Sequence, residues 1–433
     1  MSRPAADRPD GGAGRERAYD RFVEGNLRRN YIAHFVHGML GMTGFRLIFA
    51  PTFVPAYLHM LTGSPFMVGM GQALIQAGAI ASPIMGAAQI EHRRHVMPAA
   101  MTIGVLMRFQ LLGLALAGWF LTGNAMLLAT FLFLFLFGFF LGSQRVAFQV
   151  VLAKVIPIRI RGRLQAWRNL AGGAIAAGLS WWAGVYLIGN NALGNGYATT
   201  FMVAFVLTSA GLLALWLVMR EPGSPTVRAA MPFIERIREF PVLLADRDYR
   251  NFLLALLFST MGRIAVPFCI IHAGRQMEID GAAIGLLSLA FLGADTASNL
   301  VWGTLGDRYG FRLTFIVTVA LWLLSLVAML AAAAPWQFLA AFFGLGAAMS
   351  GNMMSVTTLV LEFGSRDDIP MRLAFSTTAE TSIATIGPLL GGVVAAQFGL
   401  VPVFLISIAS LMVALCILLF QVREPRRLKM IDV

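Results

Sequence analysis

Twelve apolar runs, each long enough to cross a bilayer, constrain this chain more than any other feature. A hydrocarbon core of roughly 30 Å takes about 20 residues of helix at 1.5 Å each. The runs cover 31–58, 66–90, 97–121, 125–153, 165–189, 197–219, 249–275, 281–306, 312–334, 336–362, 370–398 and 401–422, and are numbered spans 1 to 12. The expected fold class is an all-α membrane protein of twelve transmembrane helices. Several runs exceed the minimum length and have room to tilt. Composition excludes a soluble alternative. With 58% of residues hydrophobic and 12% charged, there are too few polar groups to face water.

Basic residues orient the spans. If both termini are cytoplasmic, all but five of the 33 Lys and Arg fall in cytoplasmic segments. Four of the five lie inside spans: Arg46, Arg108, Arg145 and Arg263. The outer turns Thr62–Gly63–Ser64 and Thr122–Gly123–Asn124 carry no charge. This is a positive-inside pattern. It accounts for the net charge of +12 without a nucleic-acid partner, because the basic residues mark one membrane face rather than a binding patch. The expected location is a bacterial inner membrane, multi-pass, with both termini in the cytoplasm.

Residues 1–29 are polar and Arg-rich, with no apolar core or cleavage site, and read as a disordered cytoplasmic tail. The connection 221–247 carries Pro222, Pro225, Pro232 and Pro241. In it Phe233, Ile234, Ile237 and Phe240 recur at helical spacing among charges, as in an amphipathic interfacial helix. It separates a first six-helix bundle, 30–220, from a second, 248–423, followed by a cytoplasmic tail, 424–433.

The two bundles repeat. Gly303–Arg312 reads G-T-L-G-D-R-Y-G-F-R, and Gly86–His95 reads G-A-A-Q-I-E-H-R-R-H, 217 positions earlier. The same offset carries Arg46 onto Arg263 and Arg145 onto Glu362. The Gly303–Arg312 loop resembles the G-x-L-a-D-R-x-G-R-[RK] loop of the major facilitator superfamily. Pro157–Arg163, P-I-R-I-R-G-R, is similar to that family's Pro-x-x-x-Arg-Gly-Arg turn. The first-half copy departs, with Ile90 at the aspartate position and Arg93 at the second glycine. The resemblance covers 30–423 and implies two pseudo-symmetric six-helix bundles around a central cavity, working by alternating access. It also implies that Asp307, Arg308 and Arg312 latch the halves in the outward-open state. Gly387–Gly392, G-P-L-L-G-G, resembles a signature that antiporters of the family carry in span 5, here displaced to span 11.

Charges at bilayer depth are costly unless paired or wetted, so each is a functional candidate. Arg46 on span 1 and Arg263 on span 7 are pseudo-symmetric, and the family places both spans on the cavity. Two guanidiniums there would grip a carboxylate or phosphate bidentately, as in the family's organophosphate/phosphate antiporters. Asp295 on span 8 lies at a depth similar to Arg263, so those two could instead form a structural pair. The repeat places Gly78 opposite Asp295, which leaves Arg46 without a corresponding acid and makes it the stronger ligand candidate. Arg145 on span 4 is a third substrate-binding candidate, or else couples protons or pairs with Glu362 as a cytoplasmic gate. For Arg108 on span 3 a structural pair or snorkelling is expected. Asp295 and Glu380 are proton-coupling candidates, because a desolvated carboxylate takes up a proton readily; His37 is a further one.

Four arginines against two carboxylates in the bilayer core favour a small organic anion as substrate, moved with protons. Two further readings stand beside it: a proton-coupled multidrug exporter, and a non-transporting receptor or assembly factor on the same fold. No nucleotide-binding loop, nucleophile–base constellation or metal-ligand spacing is present. An enzyme, a cofactor and a metal are therefore not expected. Cys269 and Cys416 lie in apolar runs and suggest no disulfide. The partners expected are a small anionic molecule, protons and lipid, with the chain a monomer.

Overall fold

An apolar backbone in lipid must satisfy its own hydrogen bonds, which leaves helices as the form available to runs such as these. The computed structural model describes residues 10–90, 93–223, 244–363 and 369–424. Among them, eleven helices are long and apolar enough to cross a membrane. The twelfth crossing is Pro65–Ile90, a helix of 26 residues whose described apolar stretch is Pro65–Ile80. The observed spans are Leu27–Thr62, Pro65–Ile90, Met97–Phe120, Gly123–Val155, Ile158–Ile188, Gly196–Val218, Arg247–Ala273, Gly281–Tyr309, Phe311–Ala331, Pro335–Glu362, Ile369–Phe398 and Leu400–Phe420. The chain is a multi-pass membrane protein.

Spans 1 and 7 are broken at corresponding depths. Span 1 stops at Phe49 and resumes at Phe53, with Pro51 between. Span 7 tightens into a 3-10 segment, Gly262–Phe268, that contains Pro267 and Arg263. Proline lacks the N–H that would continue the α ladder, so each break follows from its sequence. Span 5 ends in a π-helical turn, Ala183–Ile188.

Within the first half, spans 1, 3, 4 and 6 pack closely with spans 2 and 5; spans 7 to 12 form the second group. Two crossings are the main joins between the groups, span 2 with span 11 and span 5 with span 8, and span 7 adds lesser ones to spans 1 and 2. Both crossings are tightest on the face opposite the basic loops. A Cβ at Gly69 would stand 2.2 Å from the Pro388 carbonyl oxygen, and one at Gly285 would stand 2.7 Å from that of Trp181. Thr52 and Ser288 add a buried hydroxyl–hydroxyl hydrogen bond of 2.5 Å between the halves, near that same face. The molecule is thus closed there. Toward the basic face, Arg145 and Gln149, about one turn apart on span 4, remain exposed, as do Thr377 and Thr378 on span 11.

Residues expected to form a disordered tail are in part helical. A helix runs Asp10–Gly25, with Val23 buried and Tyr19 donating a 2.7 Å hydrogen bond to the Lys154 carbonyl. Tyr19, Phe22 and Val23 share one helix face, a short stripe that the surrounding charges obscure in sequence. Residues 1–9, the amphipathic stretch of the linker and the tail beyond Glu424 lie outside the described residues. At the start of span 7, Asp246 accepts from the N–H groups of Asp248 and Tyr249 and pairs with Arg372 at 2.7 Å. Burial pushes its carboxyl upward, but Arg372 and the two N–H groups together hold it below the usual value.

Candidate functional site

The breaks in spans 1 and 7 and the crossings of spans 5, 8 and 11 bring four of the candidate charges to mid-depth as two ion pairs. Arg46 of span 1 binds the Asp295 carboxylate of span 8. Its Nη1 also donates to Thr296 Oγ1 at 2.9 Å. In the second half, Arg263 Nη1 meets Glu380 Oε1 at 3.0 Å. All four side chains are mostly covered, with 14% and 22% exposure in the first pair and 24% and 25% in the second. Charges so placed are stable only when paired, and their residual accessibility keeps water within reach.

These pairings correct the sequence reading. Asp295 does not neutralise Arg263, and Arg46 does not lack an acid. Asp295 crosses to the other half, and Glu380 takes Arg263. The offset between repeats relates equivalent positions but carries no information about which helices face one another across the pseudo-symmetry axis. Spans 5 and 8 meet there, and Asp295 follows span 8 to the interface.

Gly173 on span 5 makes room for the first pair. A Cβ there would lie 2.1 Å from Thr296 Oγ1 and 2.9 Å from Arg46 Nη1. Ser350 of span 10 donates to the Asp295 backbone carbonyl at 2.9 Å. Neither Gly173, Thr296 nor Ser350 was singled out in the sequence. Gly172–Gly173 carried the one available signal, a pair of small residues inside a span.

Arg145 is exposed although protein crowds it, and the carboxylate whose charge acts on it is Glu380. A side chain with that combination lines a wet cleft. Glu362, its expected gate partner, ends span 10 in the short turn Val360–Glu362. His37 stands apart from both pairs. It is buried, stacks on Phe148 at 4.8 Å between centroids, and has Arg108, Arg168 and a second buried imidazole, His34, as neighbours.

In the loop expected to latch the halves, Arg312 donates from Nη2 to the carbonyls of Leu418 and Leu419, at 2.8 and 3.0 Å. It caps the end of span 12 within its own half, where a cation suits the carbonyl end of a helix. Arg308 lies over the Tyr309 ring at 5.4 Å. Asp307 ends the same helix on the basic face. An Arg312 engaged with its own half fits a molecule closed at the other face, since the latch is implied for the opposite state. Among the described residues, no group of three His, Cys, Asp or Glu is placed to hold a metal ion.

Twelve spans, two broken helices at matching depth and paired charges at the interface of two bundles define a class of membrane protein. Residues 252–430 match the family model of the Major Facilitator Superfamily. Multidrug resistance protein MdtG of Serratia proteamaculans is 33% identical over 139 residues, covering 32% of this chain and 33% of that protein. MdtG of Citrobacter koseri is 32% identical over 169 residues, covering 37% and 40%. The matched stretch is thus about a third of the length of these curated relatives. In fold, nucleoside transporter NupG aligns at a TM-score of 0.69 and 13% identity, over 91% of this chain and 99% of that one. A D-xylose-proton symporter aligns at 0.69 and 13%, over 93% and 99%. The second half of the chain thus resembles the major facilitator superfamily, and the chain as a whole shares the fold of these solved transporters.

Proposed function

We propose that this chain is a proton-coupled secondary transporter of the bacterial inner membrane, and that its cargo is small amphiphilic compounds of the multidrug type. The observation that carries the coupling is the Arg46–Asp295 pair. It joins the two halves at mid-depth and is within reach of water. Protonation of Asp295 removes one of its charges and so weakens the link. Each loss of about 1.4 kcal/mol shifts the balance between two arrangements tenfold. Glu380 holds Arg263 in the same way inside the second half, and its protonation would free that guanidinium.

The orientation follows from the basic loops. With those loops in the cytoplasm, the arrangement described is open inward. Rocking of one half on the other would open the outer face while the mid-depth site stays in place. The cargo assignment draws on the multidrug resistance proteins that the chain resembles in part. It is also supported by the pairing itself, since two guanidiniums already occupied by carboxylates are not offering themselves to an anion. A second reading, a small organic anion, is favoured by Arg145. Arg46, Arg263 and Arg145 against Asp295 and Glu380 leave the cleft with an unbalanced positive charge.

The test uses purified protein in weakly buffered detergent, titrated with lipophilic cations, neutral drugs, carboxylates and phosphates. The expected result is proton release on adding a lipophilic drug, lost in Asp295→Asn, together with drug flux into liposomes driven by a pH gradient. If carboxylates or phosphates alone raise the melting temperature, and the rise vanishes in Arg46→Ala, the cargo is an anion. Ligand binding without flux in liposomes would mark a receptor. Gradient-driven flux unchanged in an Asp295→Asn, Glu380→Gln double variant would overturn the coupling.

A further inference from the structure

Arg108 belongs to neither ion pair. It is 2% exposed and lies eleven residues into the helix Met97–Phe120. At 1.5 Å per residue that is about 16 Å deep, near the middle of a hydrocarbon core of roughly 30 Å. Its hydrogen bonds go to neutral acceptors. Nε donates to the Thr208 carbonyl and Nη1 to the Gly104 carbonyl, each at 2.7 Å, and Nη1 approaches Gln144 Oε1 at 3.5 Å. Nη2 is buried and finds no acceptor among the described residues. A submerged cation with an unused donor carries a penalty of several kcal/mol that an anion beside it would offset.

Arg108 also lines a groove of about 530 Å³ between spans 3 and 6. Its other walls are apolar apart from Thr102 and Ser209, and include Met101, Phe109, Phe205, Leu213 and Trp216. Phe109, Leu213 and Trp216 are more than half exposed, so the groove opens to lipid rather than to the cleft between the halves. The volume falls within the roughly 300–1,000 Å³ of small-molecule sites. We propose that this groove binds a single-chain carboxylic acid dissolved in the membrane, its chain along the apolar walls and its carboxyl group paired with the Arg108 guanidinium. Depth selects the chemistry. A phospholipid keeps its headgroup at the surface and cannot bring an anionic group to mid-bilayer, whereas a free fatty acid can submerge its carboxyl where a guanidinium meets it.

Trp216 in the groove wall supplies the readout. Full-length protein in phosphatidylcholine nanodiscs is titrated with 9,10-dibromostearic acid and, separately, with its methyl ester. The Trp216 signal is isolated by difference from Trp216→Phe. The acid should quench saturably and the ester should not. Arg108→Gln should weaken the acid's apparent affinity about tenfold or more, the worth of one charge-assisted hydrogen bond. Ser209→Phe keeps the guanidinium but fills the groove and should abolish saturable quenching, which maintains the test if the arginine variant folds poorly. Equal quenching by acid and ester, or displacement of the acid by phosphatidylglycerol, would show a groove that holds ordinary lipid chains and would overturn the proposal.

Discussion

At the scale of single residues, the central pairs matter because removing one partner does more harm than removing both. Arg46→Ala leaves the Asp295 carboxylate in a mostly covered site without its counter-ion. Removing one partner of a fully buried pair costs about 3–5 kcal/mol, and the partial exposure of both side chains brings the expected loss to about 1–3 kcal/mol. The double variant Arg46→Met, Asp295→Leu should recover most of that stability while losing proton coupling. Melting temperatures of the single and double variants in one detergent check the first statement, and drug-induced proton release checks the second. All four charges of these pairs were legible in the sequence, because a charge inside an apolar run stands out. Their partners were not, because pairing across two bundles depends on helix faces that a linear offset does not encode.

At the scale of helices, proline and glycine decide where the chain bends and where it comes close. Pro51 and Pro267 were readable as candidate breaks because proline removes a donor, although Pro83 and Pro388 lie inside unbroken helices. The helix Asp10–Gly25 was not, since three apolar residues on one face yield to the composition around them. The Gly387–Gly392 stretch was noticed for a likeness to a motif of another span, yet its work here is physical. Pro388 and Gly392 let span 11 lie against Gly69 and Phe66 of span 2. The other crossing makes the same demand at Gly285, where an added side chain meets main-chain atoms of span 5 rather than the end of a flexible side chain. Gly285→Val is therefore expected to push the halves apart on the closed face and favour the opposite arrangement. Spin labels replacing Arg163 and Tyr309, both exposed near the basic face, should show a shorter distance in the valine variant than in the parent. An unchanged distance distribution would mean that span 5 yields locally and does not set the state.

At the scale of the whole molecule, the order of the spans and the two-fold repeat were legible, whereas the state of the cleft was not. A sequence that visits two arrangements must encode both, and the distinction rests on which face's contacts are formed. In this structure those contacts include Thr52 and Ser288, fully buried residues from opposite halves with hydroxyl oxygens 2.5 Å apart. Side chains in direct contact are candidates for a disulfide. The pair Thr52→Cys, Ser288→Cys should therefore oxidise readily in this arrangement and hold the far face shut. Because alternating access requires that face to open, the oxidised variant should bind cargo from the basic side but move none, and a reductant should restore transport. Cys269 is buried and Cys416 is exposed, so a Cys416→Ser background removes the competing accessible thiol. Flux through the oxidised variant at the parent's rate would mean that the halves do not separate along this contact. The rocking axis would then have to lie elsewhere, with the mid-depth Arg46–Asp295 link no longer between moving parts.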